Sequence, residues 1–388
     1  MSTEISGLEP ESGRAVRVRF AEGVIESVEY DHDGDEDCWL TPGLVDLQVN
    51  GYAGHDVNAR DVDAETVLAM TGSLRAAGVT TFAPTVVTAS EEQTLRSLRA
   101  IAQARAASPV ARHAIAQVHM EGPHISEEDG PRGAHERQWI RPPSLPEFLR
   151  WQQACDGLVG MVTLSPHYPE SLAYIEALRG KGVQVAIGHT HCDHLAIDAA
   201  VDAGAGVSTH LGNASHEMLP RLSNYLWAQL AQDRLTAGFI ADGHHLPAAV
   251  FTAMLRAKGV ERSFLVSDAV ALAGMSPGTY ETSIGGRVEL RADGRLSRLG
   301  TPFLAGAARS LADGVAEAIA LAGITLAESV ALATSRPARL LRPSRGPARG
   351  VLCPGAAADL IRFRWRRGDH ALDIDRVLTA ASSRGEHR

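Results

Sequence analysis

Several stretches of this chain end an apolar run in residues that can bind a cation. In Ala114-Ile115-Ala116-Gln117-Val118-His119-Met120-Glu121 the run closes on a carboxylate, with His119 and His124 flanking it and Gly122-Pro123 breaking the strand. Val183-Gln184-Val185-Ala186-Ile187-Gly188-His189 and Gly206-Val207-Ser208-Thr209-His210 each close on an imidazole. One carboxylate oxygen and two imidazole nitrogens suit a divalent metal with an open position. A single histidine at a strand end is an ordinary structural residue. Glu121, His189 and His210 at the ends of consecutive β units form a pattern, which a fourth strand end extends. Val266-Ser267-Asp268 brings a carboxylate out of an apolar run, a costly place for it unless it is paired or used. A divalent metal lowers the pKa of a bound water from about 15.7 toward 7, and Asp268 beside such a water is a general base. Ile240-Ala241-Asp242-Gly243-His244-His245 offers two imidazoles, one of which could reach a carbonyl and stabilise its oxyanion. Asp242 reads as a helix cap and receives no catalytic part. Gln48 and Asn50 share a face of the first strand with Asp46 and read as hydrogen bonders at the mouth rather than as ligands.

These ends act together only if a fold brings them to one face. Apolar β-type runs alternate with amphipathic segments through the middle of the chain. The expected strands are 44–49, 79–86, 114–120, 158–164, 183–189, 206–210, 237–241 and 264–268. Helices are expected at 64–77, 91–106, 169–179 and 195–203, and later at 312–321, 325–334 and 337–341. Eight strands separated by helices predict an α/β fold, a (β/α)8 TIM barrel whose chemistry sits at the strand C-termini. Residues 14–30 alternate as a β-hairpin around Ala21-Glu22-Gly23, and 31–37 are acidic and turn-like. Residues 350–355 and 358–363 are strand-like as well. The two chain ends are therefore expected to form a small β-sandwich domain, 1–41 with 347–388, around a barrel of 42–346.

Composition narrows the partners. The chain has 388 residues, 45% hydrophobic and 21% charged, enough for one barrel-sized unit and a smaller one. A net charge of −9, with only the short Arg362, Arg364, Arg366, Arg367 group as a basic cluster, speaks against nucleic acid. Those arginines read as a solvated strand face. Cys38, Cys155, Cys192 and Cys353 form no CxxC pair, which argues against a disulfide framework or a cysteine zinc site. Neither a cationic-apolar leader nor a run of membrane-spanning length is present, so the expectation is a cytoplasmic protein with no membrane partner.

Taken in order, Pro42-Gly43-Leu44-Val45-Asp46, His119-Met120-Glu121-Gly122-Pro123, Gly188-His189-Thr190, Thr209-His210-Leu211-Gly212-Asn213-Ala214, Ile240 to His245 and Val266-Ser267-Asp268-Ala269 resemble the amidohydrolase superfamily. Within it, the chain is most similar to the N-acetylglucosamine-6-phosphate deacetylase family. The resemblance extends to Leu304-Ala305-Gly306 and to Gly355 through Leu360. It implies hydrolysis of the N-acetyl amide of a small-molecule amino sugar phosphate, with one divalent metal ion on Glu121, His189 and His210. Zinc, iron, manganese and cobalt all suit that ligand set. The resemblance further implies Asp268 as acid/base and His245 as the carbonyl-polarising group. Substrate contacts would fall on Ala134, His135, Asn213, Ala214, His245 and Leu304. Arg221 would hold the phosphate, often supplied across a homodimer in that family, though the same arginine could equally cap or salt-bridge a helix. Gln48 and Asn50 stand where other members carry a second pair of ligands, which resembles the single-metal branch. The segments Met218–Trp227 and Phe303–Ala308 depart from the family pattern, and these departures concern substrate rather than chemistry. The alternatives are a deacylase for another N-acyl sugar or amino compound, and a non-catalytic barrel that serves in binding.

Overall fold

The computed structural model describes residues 3–31, 37–282, 286–301, 303–343 and 346–381. Its centre is an eight-stranded parallel sheet in sequential order: β1 (Leu44–Val49), β2 (Val79–Val87), β3 (Val118–Glu121), β4 (Val159–Leu164), β5 (Gln184–Ile187), β6 (Val207–Ser208), β7 (Thr236–Ile240) and β8 (Ser263–Val266). A parallel bridge between Val49 and Ala269 brings the first strand to the last. Asp268 N donates to Gln48 O across the same seam at 2.9 Å. The strands are buried on both faces, which is why they read as nearly continuous apolar runs rather than as alternating ones. Val45, Leu47, Met161, Ala186, Val207, Ile240, Phe264 and Val266 form one cluster drawn from six of the eight strands, a meeting that only a barrel interior permits. Helices cover the outside, including Ala64–Ala76, Glu91–Ala107, Ser171–Arg179 and His194–Ala203. Their starts are set locally: Asp63, Ser90 and Asp193 accept from backbone N–H groups of the first turn, a contact that stabilises each helix by about 1 kcal/mol.

A six-stranded sheet joins the chain ends. Its order is Asp373–Leu378, Leu360–Arg364, Trp39–Pro42, Thr3–Leu8, Ala15–Ala21 and Val24–Tyr30. The expected hairpin at 14–30 forms, whereas residues 350–355 run as irregular chain laid against it, with Gly355 N donating to Ile25 O at 2.9 Å. Residues 32–36 of the acidic turn lie outside the described residues. Asp359 fastens this sheet to the barrel: its carboxylate meets His113 Nε2 at 2.8 Å, and its backbone carbonyl accepts from Gly43 N. Arg349 adds bonds to Thr81 Oγ1 and His113 O.

Two further features differ from the expectation. Residues Pro109–Ala114 are helix, capped by Ser108 with Pro109 in the first turn, so β3 starts only at Val118. Between β8 and the helix Leu311–Ala322 lies a three-stranded antiparallel sheet (Gly278–Thr282, Gly286–Leu290, Leu296–Arg298) with its own small core of Leu272, Val288, Leu290 and Leu296. Cys155, Cys192 and Cys353 form no disulfide among the described residues, and no helix of the described residues is long and apolar enough to cross a membrane.

Candidate active site

At the C-terminal mouth of the barrel Glu121, His189 and His210 converge. Glu121 Oε1 lies 3.1 Å from His189 Nε2 and 3.0 Å from His210 Nε2, and the two imidazole nitrogens are 3.1 Å apart. All three residues are buried. His189 Nδ1 lies 2.8 Å from Pro131 O and donates to it, which leaves Nε2 to present a lone pair when a cation is bound. A carboxylate oxygen and two imidazole nitrogens that face one another at such distances form a convergent donor set. The donor set fits a divalent cation. Burial opposes the charge on Glu121, yet His189 and His210 hold its carboxyl well below the usual range. Burial likewise disfavours a charged His210, but Glu121 outweighs it and raises the imidazole pKa.

The backbone at these positions is bent. His189 (φ 49°), His210 (φ 25°) and Asp268 (φ 49°) are left-handed, a conformation that costs about 1–3 kcal/mol per residue and persists where the surroundings over-determine it. The bend follows the last residues of β5, β6 and β8 and turns each side chain into the mouth.

Asp268 is wired to the triad by amides from β1. Gln48 Nε2 donates to Glu121 Oε1 at 2.8 Å and to Asp268 Oδ1 at 3.1 Å, and Asn50 Nδ2 donates to Asp268 Oδ1 at 2.8 Å. Both amides are therefore hydrogen bonders, as their position on the strand suggested. Burial and the charge of Glu121 push the Asp268 carboxyl up to about 6. Below it Asp46 is fully buried, with one oxygen accepting from Gln48 N and Ser267 N and the other without a partner among the described residues. Burial pushes this carboxyl up to about 7.

His245 is half-buried and stands on Asp242. Its Nδ1 lies 2.6 Å from Asp242 Oδ2, while Asp242 Oδ1 accepts from the backbone N–H groups of His244 and His245, each at 2.8 Å. Burial works against a charged Asp242, but these bonds prevail and its carboxyl sits at about 2. Asp242 thus does more than cap a helix: it fixes the ring and the turn that carries it. The spacing Asp-x-x-His at a strand end was the signal available for this role.

The other positions divide. The His135 ring packs edge-on against His189 with centroids 4.4 Å apart, and its buried Nδ1 has no partner among the described residues. Gly133 lies against both His189 and Ala214, which brings the exposed Ala134 to the same place. Asn213 bonds His210 O through its side chain at 3.1 Å, and Ala214 follows in left-handed backbone. Arg221 is exposed; its carbonyl accepts from Trp227 Nε1, and no hydrogen bond or ion pair joins it to the triad among the described residues. Leu304 is half-buried and bridges Ser297 at the foot of the three-stranded sheet. His119 and His124 are structural. His119 lies between Leu47 O and Thr163 Oγ1, and His124 stacks on Trp151.

Comparison with known proteins bears on the whole chain. A N-acetylglucosamine-6-phosphate deacetylase of Bacillus subtilis (strain 168) is 31% identical over 269 residues, 67% of each chain. A N-acetylgalactosamine-6-phosphate deacetylase of Escherichia coli O157:H7 is 31% identical over 353 residues, 89% of each chain. The solved structure of a Mycobacterium smegmatis N-acetyl-D-glucosamine-6-phosphate deacetylase variant, in complex with N-acetyl-D-glucosamine-6-phosphate, superposes with a TM-score of 0.83 over 98% of both chains at 29% identity. Residues 39–380 match the family model described as the amidohydrolase family. With the barrel, the convergent Glu121, His189 and His210 at its mouth and a match over nearly the full chain, this protein belongs to the amidohydrolase family.

Proposed function

We propose that this chain hydrolyses the N-acetyl amide of N-acetylglucosamine 6-phosphate to glucosamine 6-phosphate and acetate. The observation that carries the reading is the buried triad joined to Asp268 through Gln48, together with the likeness to deacetylases of acetamido sugar phosphates. Glu121, His189 and His210 would hold one divalent metal, for which zinc suits the donor set. When bound, the ion supplies Lewis acidity and an activated water. Asp268 takes the proton from the attacking water at its carboxylate and delivers it to the departing nitrogen. Gln48 and Asn50 keep that carboxylate oriented by donating their amide N–H groups to Oδ1. His245, fixed through Nδ1, meets the carbonyl oxygen as charge builds on it. His135, Ala134, Asn213, Ala214 and Leu304 would line the sugar.

Arg221 would bind the phosphate across a homodimer. Support comes from its surroundings: Met218, Leu222 and Trp227 are 89%, 79% and 56% exposed, an apolar collar that favours cover by a second copy. Residues 42–346 would form the catalytic unit and 1–41 with 347–388 the small one, in a cytoplasmic enzyme. The test is acetate release from N-acetylglucosamine 6-phosphate, N-acetylgalactosamine 6-phosphate and unphosphorylated N-acetylglucosamine by metal-reconstituted protein. Preference for the first, lost in Arg221→Ala, is expected. Preference for the galactosamine compound would favour the second reading that the E. coli relative suggests. Equal rates with and without phosphate would overturn the phosphate site.

A further inference from the structure

Arg309 joins four separate parts of the chain. Its Nη1 donates to Glu317 Oε2 at 3.0 Å and reaches Asp242 O at 3.5 Å, while Nη2 donates to His370 O at 2.7 Å. Its stem lies against Gly294, where a Cβ would come within 2.6 Å of Arg309 Cγ. Glu317, on the helix Leu311–Ala322, also meets His370 Nδ1 at 3.0 Å. The pair is well covered, with side chains only 16% and 12% exposed. Gly243, left-handed at φ 76°, sits on Glu317; a Cβ there would lie 3.1 Å from Glu317 Oε1.

The turn from Asp242 to His245 is therefore held from two sides. Inside it, Asp242 gathers the N–H groups of His244 and His245 and the ring of His245. Outside it, the Arg309–Glu317 pair braces Gly243 and the Asp242 carbonyl. His370 belongs to the connection between Leu360–Arg364 and Asp373–Leu378, so the brace extends to the sheet formed by the chain ends. A planar guanidinium can meet three acceptors on three elements at once, which an ammonium cannot reproduce.

We infer that Arg309 is a positioning residue for hydrolysis: with Glu317 it fixes the turn that directs His245, and through His370 it makes the chain-end sheet part of that support. The inference rests on the role given above to His245. Arg309→Met, Arg309→Lys and Glu317→Gln should be compared with the wild-type protein, all metal-loaded and ¹⁵N-labelled at histidine. Arg309→Met is expected to shift or broaden the Nδ1–H signal of His245 and to lower kcat about 10²-fold, the cost of a misplacement near 1 Å. KM and metal content should stay within about twofold, because the interaction lost is one made in the transition state. Arg309→Lys should recover part of both readouts. An unmoved His245 signal with kcat within about twofold of wild type overturns the inference. Should Arg309→Met fail to fold, Glu317→Gln removes the charge from the same pair and Glu317→Leu its acceptor, and these decide by the same readouts. If wild-type protein releases acetate from none of the sugar phosphates, the functional reading fails, while the His245 signal still decides the positioning role.

Discussion

Asp268→Asn should separate catalysis from stability. The asparagine oxygen can accept the same two bonds that Asp268 Oδ1 accepts from Gln48 and Asn50. The backbone bond from residue 268 to Gln48 O is untouched, and asparagine tolerates the left-handed conformation found there. The site should keep its shape and lose only its proton acceptor. General acid–base catalysis contributes typically about 10²–10⁴-fold, so turnover should fall by that amount, about 3–5 kcal/mol of barrier.

Stability should move the other way in metal-free protein. The folded Asp268 carboxyl lies at about 6 because burial and Glu121 disfavour its charge, against about 3.9 in an unfolded chain. A raised carboxyl contributes stability below the unfolded value and loses it as pH rises toward 6. Above that, the buried charge costs on the order of 3 kcal/mol. Asparagine removes that cost, so at pH 7.5 the metal-free variant should unfold at higher urea than metal-free wild type, and the gap should close near pH 4. Acetate release, metal content and urea unfolding at both pH values measure the three quantities. Turnover within tenfold of wild type, or a metal-free variant less stable than wild type at pH 7.5, would refute the reasoning.

Glu121→Gln should remove a charged ligand and lower bound metal after dialysis, read by elemental analysis; unchanged metal would show that the ligand set is wrong. Chelation of wild-type protein should abolish turnover and lower its unfolding midpoint, since an ion present at 100 times its Kd stabilises the fold by about 2.7 kcal/mol. Asp46, pushed up to about 7 by burial, should lose stability relative to Asp46→Asn as pH rises from about 4 to 7, by at most about 1.4 kcal/mol per pH unit; paired urea curves at pH 5 and pH 8 would show parallel behaviour if the carboxyl were ordinary. Lys258 Nζ donates to Gln229 O and Gln232 O at the end of the helix Tyr225–Ala231. Lys258→Met should deprive Gln229 O of this donor, leave Gln232 O with only Leu235 N, and cost about 1–3 kcal/mol, with no change in kcat for the metal-loaded protein.

Much of the fold, and the convergence of Glu121, His189 and His210, was legible in the chain. Strands such as Leu44–Val49 and Val159–Leu164 are apolar throughout because both of their faces are buried, and helices begin at residues such as Asp63 and Ser90 that satisfy their own first turn. Both are local causes, written in neighbouring residues. Glu121, His189 and His210 end their runs, and in a parallel barrel strand ends share one face. Where local signals compete, the reading slips. Ala114-Ile115-Ala116 continues apolar from the helix Pro109–Ala114, and apolarity alone does not separate a buried helix end from a strand start. The sheet between β8 and Leu311–Ala322 is short and half exposed, and it carries little period of its own. What only the tertiary structure decided is who meets whom across the barrel. Gln48 reaches Asp268 at a separation of 220 residues because the first strand closes on the last. Asp242 becomes the support of His245, and Arg309 the brace behind it, through a turn geometry and packing that no spacing announces. A hydrogen bond between distant segments depends on three-dimensional closure, and the residues on either side of it carry no local preference for one another.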